Sequence, residues 1–196
     1  MGGPQSLNWP VATPGSGACY HGSMKRRIFI AIDLPQELKA TVEEMIRQWH
    51  WLPIRWLKPE NWHITLIPPI YLEERELELL KTLLQDRRFG RRLTLNFNRV
   101  VLAPPGVPAR MIWLEGEIPP ELAGLKKKLE RRWVEEARLP PPKHESREPH
   151  LHVTIARFKP GEFRQLESKT RVLGEVDLGF EVKEIAIMES HLKPTG

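Results

Sequence analysis

The sequence predicts an α+β protein in which two similar βαβ-type lobes face each other across a central cleft. One observation is the order of elements, because a strand, a helix and further strands follow one another twice along the chain. The other is a His-x-Thr triplet in each half, within WHITLIPP at 62–69 and LHVTIARF at 151–158. The chain has 196 residues, enough for one sizeable domain or two small lobes that share a core.

Residues 1–23 differ from the rest of the chain, since they are rich in Gly, Pro and Ser and show no hydrophobic periodicity. They contain no basic start followed by a continuous apolar stretch, which excludes a secretory signal peptide. We therefore expect a flexible leader or tag over 1–23 and a single two-lobed domain over 24–196, with Met24 as a candidate start.

The first half of the domain contains apolar, β-branched runs typical of strands and two stretches with helical periodicity. Pro35 suits the first turn of a helix, and Leu38, Val42 and Ile46 then lie on one face. The predicted elements are a strand at 28–32, a helix at 35–49, a short strand at 54–57, a strand at 63–67, a helix at 73–86 and a strand at 93–102.

The second half begins after the turn sequence PPGVP and shows the same kinds of signal. A helix again begins at a proline, and a Pro-rich loop precedes the second His-x-Thr strand. The predicted elements are a strand at 109–116, a helix at 119–137, a loop at 139–148, a strand at 151–158, a weaker helix at 161–170 and a closing strand at 180–192.

An internal repeat relates the two halves. Pro35 and Leu38 recur 84 positions later as Pro119 and Leu122, whereas His63 and the second histidine are 89 apart because the second loop is five residues longer. The same 84-residue offset relates Ile28 to Ile112, Phe29 to Trp113, Ile30 to Leu114, Asp33 to Glu117 and Trp49 to Trp133. Chance similarity of strand–Pro–helix segments is the alternative, which the aligned aromatic residues disfavour. We expect repeats at about 26–102 and 110–192, packed about a pseudo-two-fold axis.

Composition narrows the class of protein. Cys19 is the single cysteine, which excludes an intramolecular disulfide framework and a Cys-rich zinc site, and a reducing cytoplasm is the simplest location. No apolar run approaches the roughly 20 residues that a membrane-spanning helix needs. The net charge of +5 suits a polyanionic ligand such as nucleic acid, although so small an excess is weak support.

The two His-x-Thr triplets place their polar side chains on one face of each strand. Side chains alternate along a strand, so His63 and Thr65 point to one side and Ile64 to the core, and His152 and Thr154 behave alike. A single His in a strand is more commonly a hydrogen-bonded core or surface residue. Two of them with the same spacing to Thr, at equivalent places in a repeat, favour catalysis.

Such a set of side chains suits acid–base chemistry at phosphorus. Histidine has an unperturbed pKa of about 6.5, so one neutral imidazole can take a proton from water while a protonated one gives a proton to a leaving oxygen. Hydroxyl donors can stabilise the non-bridging oxygens of a phosphoryl group. A strained 2′,3′-cyclic phosphate fits best, because such a substrate has less need of a metal, and we expect neither a metal nor another cofactor.

The motifs resemble those of the 2H phosphoesterase superfamily, and in particular of the RNA 2′,3′-cyclic phosphodiesterase family, historically called 2′-5′ RNA ligase. The similar segments are RRIFIAIDLP at 26–35, HITL at 63–66, HVTIAR at 152–157 and ESHL at 189–192. The resemblance covers residues 24–196 and implies a LigT-like fold with antiparallel-rich sheets. It departs from the common pattern at Leu151, where many members of the family have a proline.

The resemblance also implies roles for individual residues. His63 would be the general acid that protonates the departing O3′, and His152 the general base that acts on water. Thr65, Thr154 and Arg157 would bind the phosphate, and the product would carry a 2′-phosphate. Arg157 has opposite strand parity to His152, so it needs a strand end or a bulge to reach the site; a surface Arg is the alternative.

Other residues leave alternatives open. Phe29, or Trp113 at the equivalent position, is a candidate for stacking on a base, although core packing is favoured for both. His150 has the parity of His152 and lines the predicted cleft; zinc bound by these two with His144 is disfavoured, since no carboxylate or Cys joins them at a familiar spacing. Basic clusters occur at Arg87, Arg88, Arg91 and Arg92 and at Lys126, Lys127, Lys128, Arg131 and Arg132, where a solvated helix face is favoured over phosphate contact.

We therefore expect a metal-independent phosphodiesterase that opens RNA 2′,3′-cyclic phosphate ends, with tRNA fragments among the candidate substrates. It would act as a cytoplasmic monomer without a membrane. The reverse reaction would join such an end to a 5′-hydroxyl without ATP, and no G-x-x-x-x-G-K-[ST] loop is present for an ATP-driven ligase. The alternatives are a phosphodiesterase for a small cyclic nucleotide, a cyclic ADP-ribose derivative or a 2′-5′ oligoadenylate, and a non-catalytic module that binds RNA ends.

Overall fold

The computed structural model describes residues 25–85, 93–142, 150–159 and 173–191. These residues form two antiparallel sheets and three α-helices, which confirms the α+β class. In chain order the elements are β1 Arg26–Asp33, α1 Gln36–Arg47, β2 Arg55–Trp56, β3 His63–Leu72, α2 Glu74–Gln85, β4 Thr94–Ala103, β5 Met111–Gly116, α3 Pro120–Glu135, β6 Leu151–Arg157, β7 Gly174–Glu181 and β8 Ala186–Glu189.

The two sheets have related strand orders. The three-stranded sheet has the order β3-β1-β8, and the five-stranded sheet has the order β2-β6-β5-β4-β7. In each, the first strand of one half pairs with the His-x-Thr strand of that half on one side and with the last strand of the other half on the other side. The internal repeat stays a prediction, and these matching ladders support it.

Proline starts two of the helices, as the sequence predicts. The carbonyl of Pro35 accepts a hydrogen bond from the backbone of Lys39 at 3.0 Å, and the carbonyl of Pro119 accepts one from Leu122 at 3.0 Å. The backbone N–H groups at the start of a helix have no acceptor within the helix. Proline carries no backbone N–H, so a proline there leaves no donor unsatisfied. The loss of a donor therefore costs these helices nothing at the position where the chain must turn.

One hydrophobic core joins the helices to both sheets. The apolar face of α1 is buried, and α2 and α3 both contact β3. Trp62, just before the first His-x-Thr strand, and Trp133, on α3, are both fully buried. The strand that carries His63 is thus fixed from behind by large side chains, while its polar face remains open for chemistry.

The predicted closing strand at 180–192 is wrong in one respect, because the chain forms two strands there in different sheets. β7 lies at the edge of the five-stranded sheet, and β8 pairs with β1 in the three-stranded sheet. Between them Val182 and Ile185 are buried, and the amide of Val182 donates to the carbonyl of Leu93 at 2.8 Å. A continuous apolar pattern does not reveal that the chain crosses from one sheet to the other.

β3 is longer than predicted, since it continues through Pro68 and Pro69 to Leu72. The register with β1 shifts twice in this region, and a proline is tolerated where the ladder is irregular. The leader at 1–23 and the weak helix at 161–170 lie outside the described residues, as does most of the loop at 139–148. In the described part of the chain, no helix is both long and apolar enough to span a membrane.

A candidate active site where the two sheets meet

His63 begins β3, with its Cα paired with that of Asp33 at the end of β1. The side chain is half-buried, and its ring centre lies 4.8 Å from that of Phe29, with 44° between the planes. Ile64 is 3% exposed, so strand alternation turns it to the core and leaves His63 and Thr65 on the opposite face. The predicted parity of the first triplet is confirmed.

The surroundings of His63 favour its neutral form. Burial lowers the pKa of His63 below its ordinary value of 6.5, since the charged ring loses water. A backbone hydrogen bond with Asn61 and the carboxylate of Asp33 raise that pKa, whereas the charges of Arg157 and Lys39 lower it. Lys39 Nζ lies 2.7 Å from Asp33 Oδ1, so the carboxylate is shared with a buried ammonium group.

His152 lies on β6, with its Cα paired with that of Glu115 on β5. Its Nδ1 is 3.1 Å from the carbonyl oxygen of His150, and its ring stacks on Trp113 at 3.8 Å with 20° between the planes. A carbonyl only accepts hydrogen bonds, so in the neutral ring we assign the proton to Nδ1. The Nε2 atom is then the unprotonated one and is chemically able to accept a proton.

The side chain of each threonine lies on the same face of its strand as the histidine of its triplet. Thr65 is exposed and pairs with Ala31, and Thr154 is half-buried and pairs with Trp113. Val153, which lies between His152 and Thr154 in the sequence, is fully buried. The alternation predicted for the second triplet is therefore confirmed. Both hydroxyls are therefore on the polar sides of their sheets and not in the core.

Strands β3 and β6, which carry the two triplets, belong to different sheets yet contact each other. The charge of Arg157 on β6 acts on His63 of β3, which shows that side chains from both strands share one electrostatic environment. The structure thus places the strands of the two motifs in contact, with Arg157 of the second strand near His63 of the first.

Arg157 reaches the polar face through a bulge. The ladder between β5 and β6 pairs Ile112 with Ala156 but Trp113 with Thr154, so Ile155 is an extra residue on β6. Ile155 and Ala156 are both fully buried, and Arg157 is exposed opposite Met111, which has the parity of Trp113. The sequence predicts either a strand end or a bulge for Arg157, and the structure has both, since Arg157 ends β6 and follows the bulge.

Phe29 and Trp113 occupy similar places beside the two histidines. Phe29 is 8% exposed and Trp113 is 6% exposed, so packing is the main role that the structure gives either ring. Phe29 tilts against His63, whereas Trp113 lies flat on His152. The stacking of Phe29 on a base stays a prediction.

Sequence reasoning missed a polar network behind His152. The buried carboxylate of Glu115 accepts from His150 Nδ1 at 3.0 Å and from Arg99 Nη2 at 3.1 Å. Together these three side chains line a cavity of about 370 Å³ beside His152. The available signal was the acid within the apolar strand MIWLEG, which has the parity of Trp113.

The other candidate groups do not form a second site in the described part of the chain. No group of three His, Cys, Asp or Glu side chains suited to a metal occurs among the described residues, and His144 lies outside them. The basic cluster at 87–92 also lies outside. On α3, Arg132 is buried and donates to Glu136 at 2.8 and 2.7 Å, and Arg131 is exposed near Glu135 at 3.9 Å, so part of that cluster forms ion pairs along the helix.

We expect the pKa of His63 to respond in opposite directions to two substitutions. Arg157→Gln removes a nearby cation and should raise this pKa, whereas Asp33→Asn removes an anion and should lower it. An NMR titration of the imidazole resonances measures both shifts. Arg131→Gln removes the same charge on the exposed face of α3 and serves as the matched control. Shifts of the same sign in the two test variants would contradict the assigned electrostatics.

The comparisons with known proteins agree with this geometry. The LigT like Phosphoesterase family matches residues 32–113, a segment that includes the first triplet and ends before the second. A curated RNA 2′,3′-cyclic phosphodiesterase of Methanocaldococcus jannaschii is 26% identical over 181 residues, which cover 87% of this chain and 94% of that protein.

Solved structures share the fold. Escherichia coli LigT complexed with 3′-AMP has a TM-score of 0.65 and 21% identity, with 86% of this chain and 90% of that one covered. TT0787 of Thermus thermophilus has a TM-score of 0.64 and 24% identity, with 87% and 91% covered. The family match over 32–113 and the relative aligned along most of the chain show that this protein is similar to LigT-like phosphoesterases, and the solved structures show that it has their fold.

Proposed function

We propose that this protein hydrolyses RNA 2′,3′-cyclic phosphate ends to 2′-phosphates by acid–base catalysis between His63 and His152, without a metal. The observation that carries the proposal is the meeting of two His-x-Thr strands from different sheets, with both polar faces outside the core. The name of the relative from Methanocaldococcus jannaschii supports this substrate class.

His152 is the proposed base. Its Nδ1 hydrogen bond to the carbonyl of His150 makes Nε2 the unprotonated nitrogen, and the ring stacks on Trp113. A water oxygen attacks phosphorus and loses its proton to Nε2. Because the proton acceptor is fixed before the substrate arrives, no reorientation of the ring opposes the reaction.

His63 is the proposed acid. As the bond between phosphorus and O3′ breaks, His63 gives a proton to O3′, which leaves a 3′-hydroxyl and a 2′-phosphate monoester. The lowered pKa of His63 makes it a stronger acid, but it also reduces the protonated fraction near neutrality. The value of kcat/KM, which reports the free enzyme, should therefore fall as the pH rises through the pKa of His63, which lies below 6.5. In the complex, the phosphate anion should raise the pKa of His63.

Three further side chains are the proposed phosphate ligands. The hydroxyls of Thr65 and Thr154 lie on the faces of the two histidines, and the guanidinium of Arg157 reaches the same side through the bulge. Negative charge on the non-bridging oxygens grows in the transition state, where donors placed in advance are most effective. An Arg remains protonated throughout the accessible pH range, so this contact does not depend on pH.

The same groups acting in reverse would join a 2′,3′-cyclic phosphate end to a 5′-hydroxyl and form a 2′-5′ link without ATP. Small cyclic nucleotides, cyclic ADP-ribose derivatives and 2′-5′ oligoadenylates are alternative substrates, separated from RNA by comparing turnover of mononucleotides and oligomers. A module that only binds RNA ends is the non-catalytic alternative. We further propose that the protein acts as a cytoplasmic monomer, with tRNA fragments as candidate substrates.

The test is incubation with a short RNA that ends in a 2′,3′-cyclic phosphate, in excess EDTA, with the product ends resolved. We expect complete conversion to a 2′-phosphate. A 3′-phosphate product would overturn the assigned leaving group, and loss of turnover in EDTA would overturn metal independence. If the RNA binds and is not cleaved, the non-catalytic module replaces the enzyme.

A further inference from the structure

Two arginines lie opposite each other on neighbouring strands next to this site, and a third, Arg110, precedes the strand on the other side of β6. Arg55 on the edge strand β2 pairs directly with Arg157 at the end of β6. Arg157 pairs on its other side with Met111, and the carbonyl of the preceding Arg110 accepts a hydrogen bond from the amide of Phe158 at 2.9 Å. Side chains directly opposite in a ladder are about 5 Å apart at Cβ, so Arg55 and Arg157 are close neighbours.

This arginine cluster of Arg55, Arg110 and Arg157 is unfavourable in the absence of an anion. All three side chains are exposed, and the structure gives them no ion pair with any described acid. Partial burial and the charges of Arg55 and Arg110 lower the pKa of Arg157, which reports mutual repulsion. Like charges placed directly opposite each other destabilise a sheet. A bound anion would therefore reduce the electrostatic repulsion that remains between these arginines in the folded protein.

The cluster continues outward from the catalytic groups. Arg157 is near enough to His63 for its charge to lower the pKa of that ring, and Arg55 lies on the edge strand beyond it. The first half has no counterpart, because the residue 89 positions before Arg157 is Pro68. Arg55 and Arg157 place positive charge along β2 and β6, next to the second triplet.

The charge of the substrate decides what the cluster can hold. A 2′,3′-cyclic phosphate carries one negative charge, which compensates one guanidinium and leaves two. An RNA chain supplies a further phosphodiester anion for each additional nucleotide, and Arg pairs well with phosphate through two parallel hydrogen bonds. A mononucleotide cannot satisfy the cluster, whereas an oligonucleotide can.

We propose that Arg55 and Arg110 bind the phosphodiester on the 5′ side of the terminal nucleotide, while Arg157 contacts the cyclic phosphate. This subsite rests on the proposed function and makes the protein select oligonucleotides over mononucleotides.

The experiment compares a trinucleotide ending in a 2′,3′-cyclic phosphate with uridine 2′,3′-cyclic phosphate. Arg55→Gln and Arg110→Gln should each lower the ratio of kcat/KM for the trinucleotide to kcat/KM for the mononucleotide by about tenfold, mainly through KM. The salt dependence for the trinucleotide should weaken by about 0.7 in the log–log slope for each guanidinium–phosphate pair removed. Arg131→Gln, an exposed change of equal charge on α3, should keep the wild-type ratio and slope.

Several outcomes would overturn the subsite. An unchanged ratio in both variants would show that neither Arg contacts the RNA beyond the terminal nucleotide. Equal losses of kcat/KM on both substrates would show that the two arginines act at the cyclic phosphate alone. Titration with a trinucleotide that carries a terminal 2′-phosphate, against uridine 2′-phosphate, tests the subsite without turnover. If the wild type binds the trinucleotide through Arg55 and Arg110 but cleaves neither cyclic substrate, the proposed function fails and the subsite stands.

Discussion

Replacing His152 by alanine should lower kcat/KM on cyclic-phosphate RNA by about 10² to 10⁴-fold, the usual contribution of one positioned acid or base. The variant loses the imidazole whose Nδ1 is hydrogen-bonded to the His150 carbonyl, a contact that places the unprotonated nitrogen at Nε2. Replacing His63 should cause a loss of the same order, because O3′ would then leave as an unprotonated alkoxide. The two losses should not multiply in the double variant, since the groups act on one reaction.

His191→Ala is the matched control for these two substitutions. The His191 side chain is 79% exposed and lies 4.0 Å from Glu189. We expect wild-type kcat/KM for this variant, measured on the same RNA with product ends resolved. If His63→Ala and His152→Ala keep their turnover and lose only affinity, the pair is a phosphate clamp and the catalytic proposal fails.

Replacing Trp133 by alanine should lower the free energy of unfolding by about 3–5 kcal/mol, the range for large aromatic residues removed from a core. Trp133 is fully buried on α3, and its Nε1 donates to the carbonyl of Pro140 at 2.7 Å. α3 contacts β3, the strand of His63, and Trp133 belongs to the core that joins the helices to both sheets. Urea unfolding followed by circular dichroism measures the change.

Trp51→Ala is the control for this prediction, since the Trp51 side chain is 65% exposed and its removal leaves no cavity. Trp133→Phe should cost less than Trp133→Ala, because most of the ring volume remains and only the hydrogen bond to Pro140 is lost entirely. Equal destabilisation by Trp51→Ala and Trp133→Ala would show that the buried Trp133 side chain contributes no more to stability than an exposed one.

Local pattern was sufficient to predict most elements and the orientation of the candidate site. The parity of His63 and Thr65 follows from strand alternation, a property of neighbouring residues, and the structure places both outside the core. The prolines that begin α1 and α3 were readable for the same reason, since a missing N–H and a fixed φ act within one turn. The chemistry of two imidazoles and two hydroxyls is likewise a property of residue types.

Long-range pairing decided the features that pattern did not reveal. Val182 and Ile185 belong to an apolar run that reads as one strand, but the run crosses between sheets because β7 pairs with β4 and β8 pairs with β1. The bulge at Ile155 depends on the register of β6 against β5, and only that register turns Arg157 toward the site. Such registers are set by contacts between residues far apart in sequence.

The sequence by itself determined which groups can do chemistry, since the repeated His-x-Thr triplet fixes two imidazoles and two hydroxyls on the polar faces of two strands. Only the tertiary structure decided how these groups are tuned and what lies beside them. The contact between β3 and β6 brings His63 near Arg157, the burial of Glu115 supports His150 behind His152, and the ladder of β2 on β6 sets Arg55 next to Arg157. Charge and desolvation act through space, and distances between side chains exist only once the sheets have met.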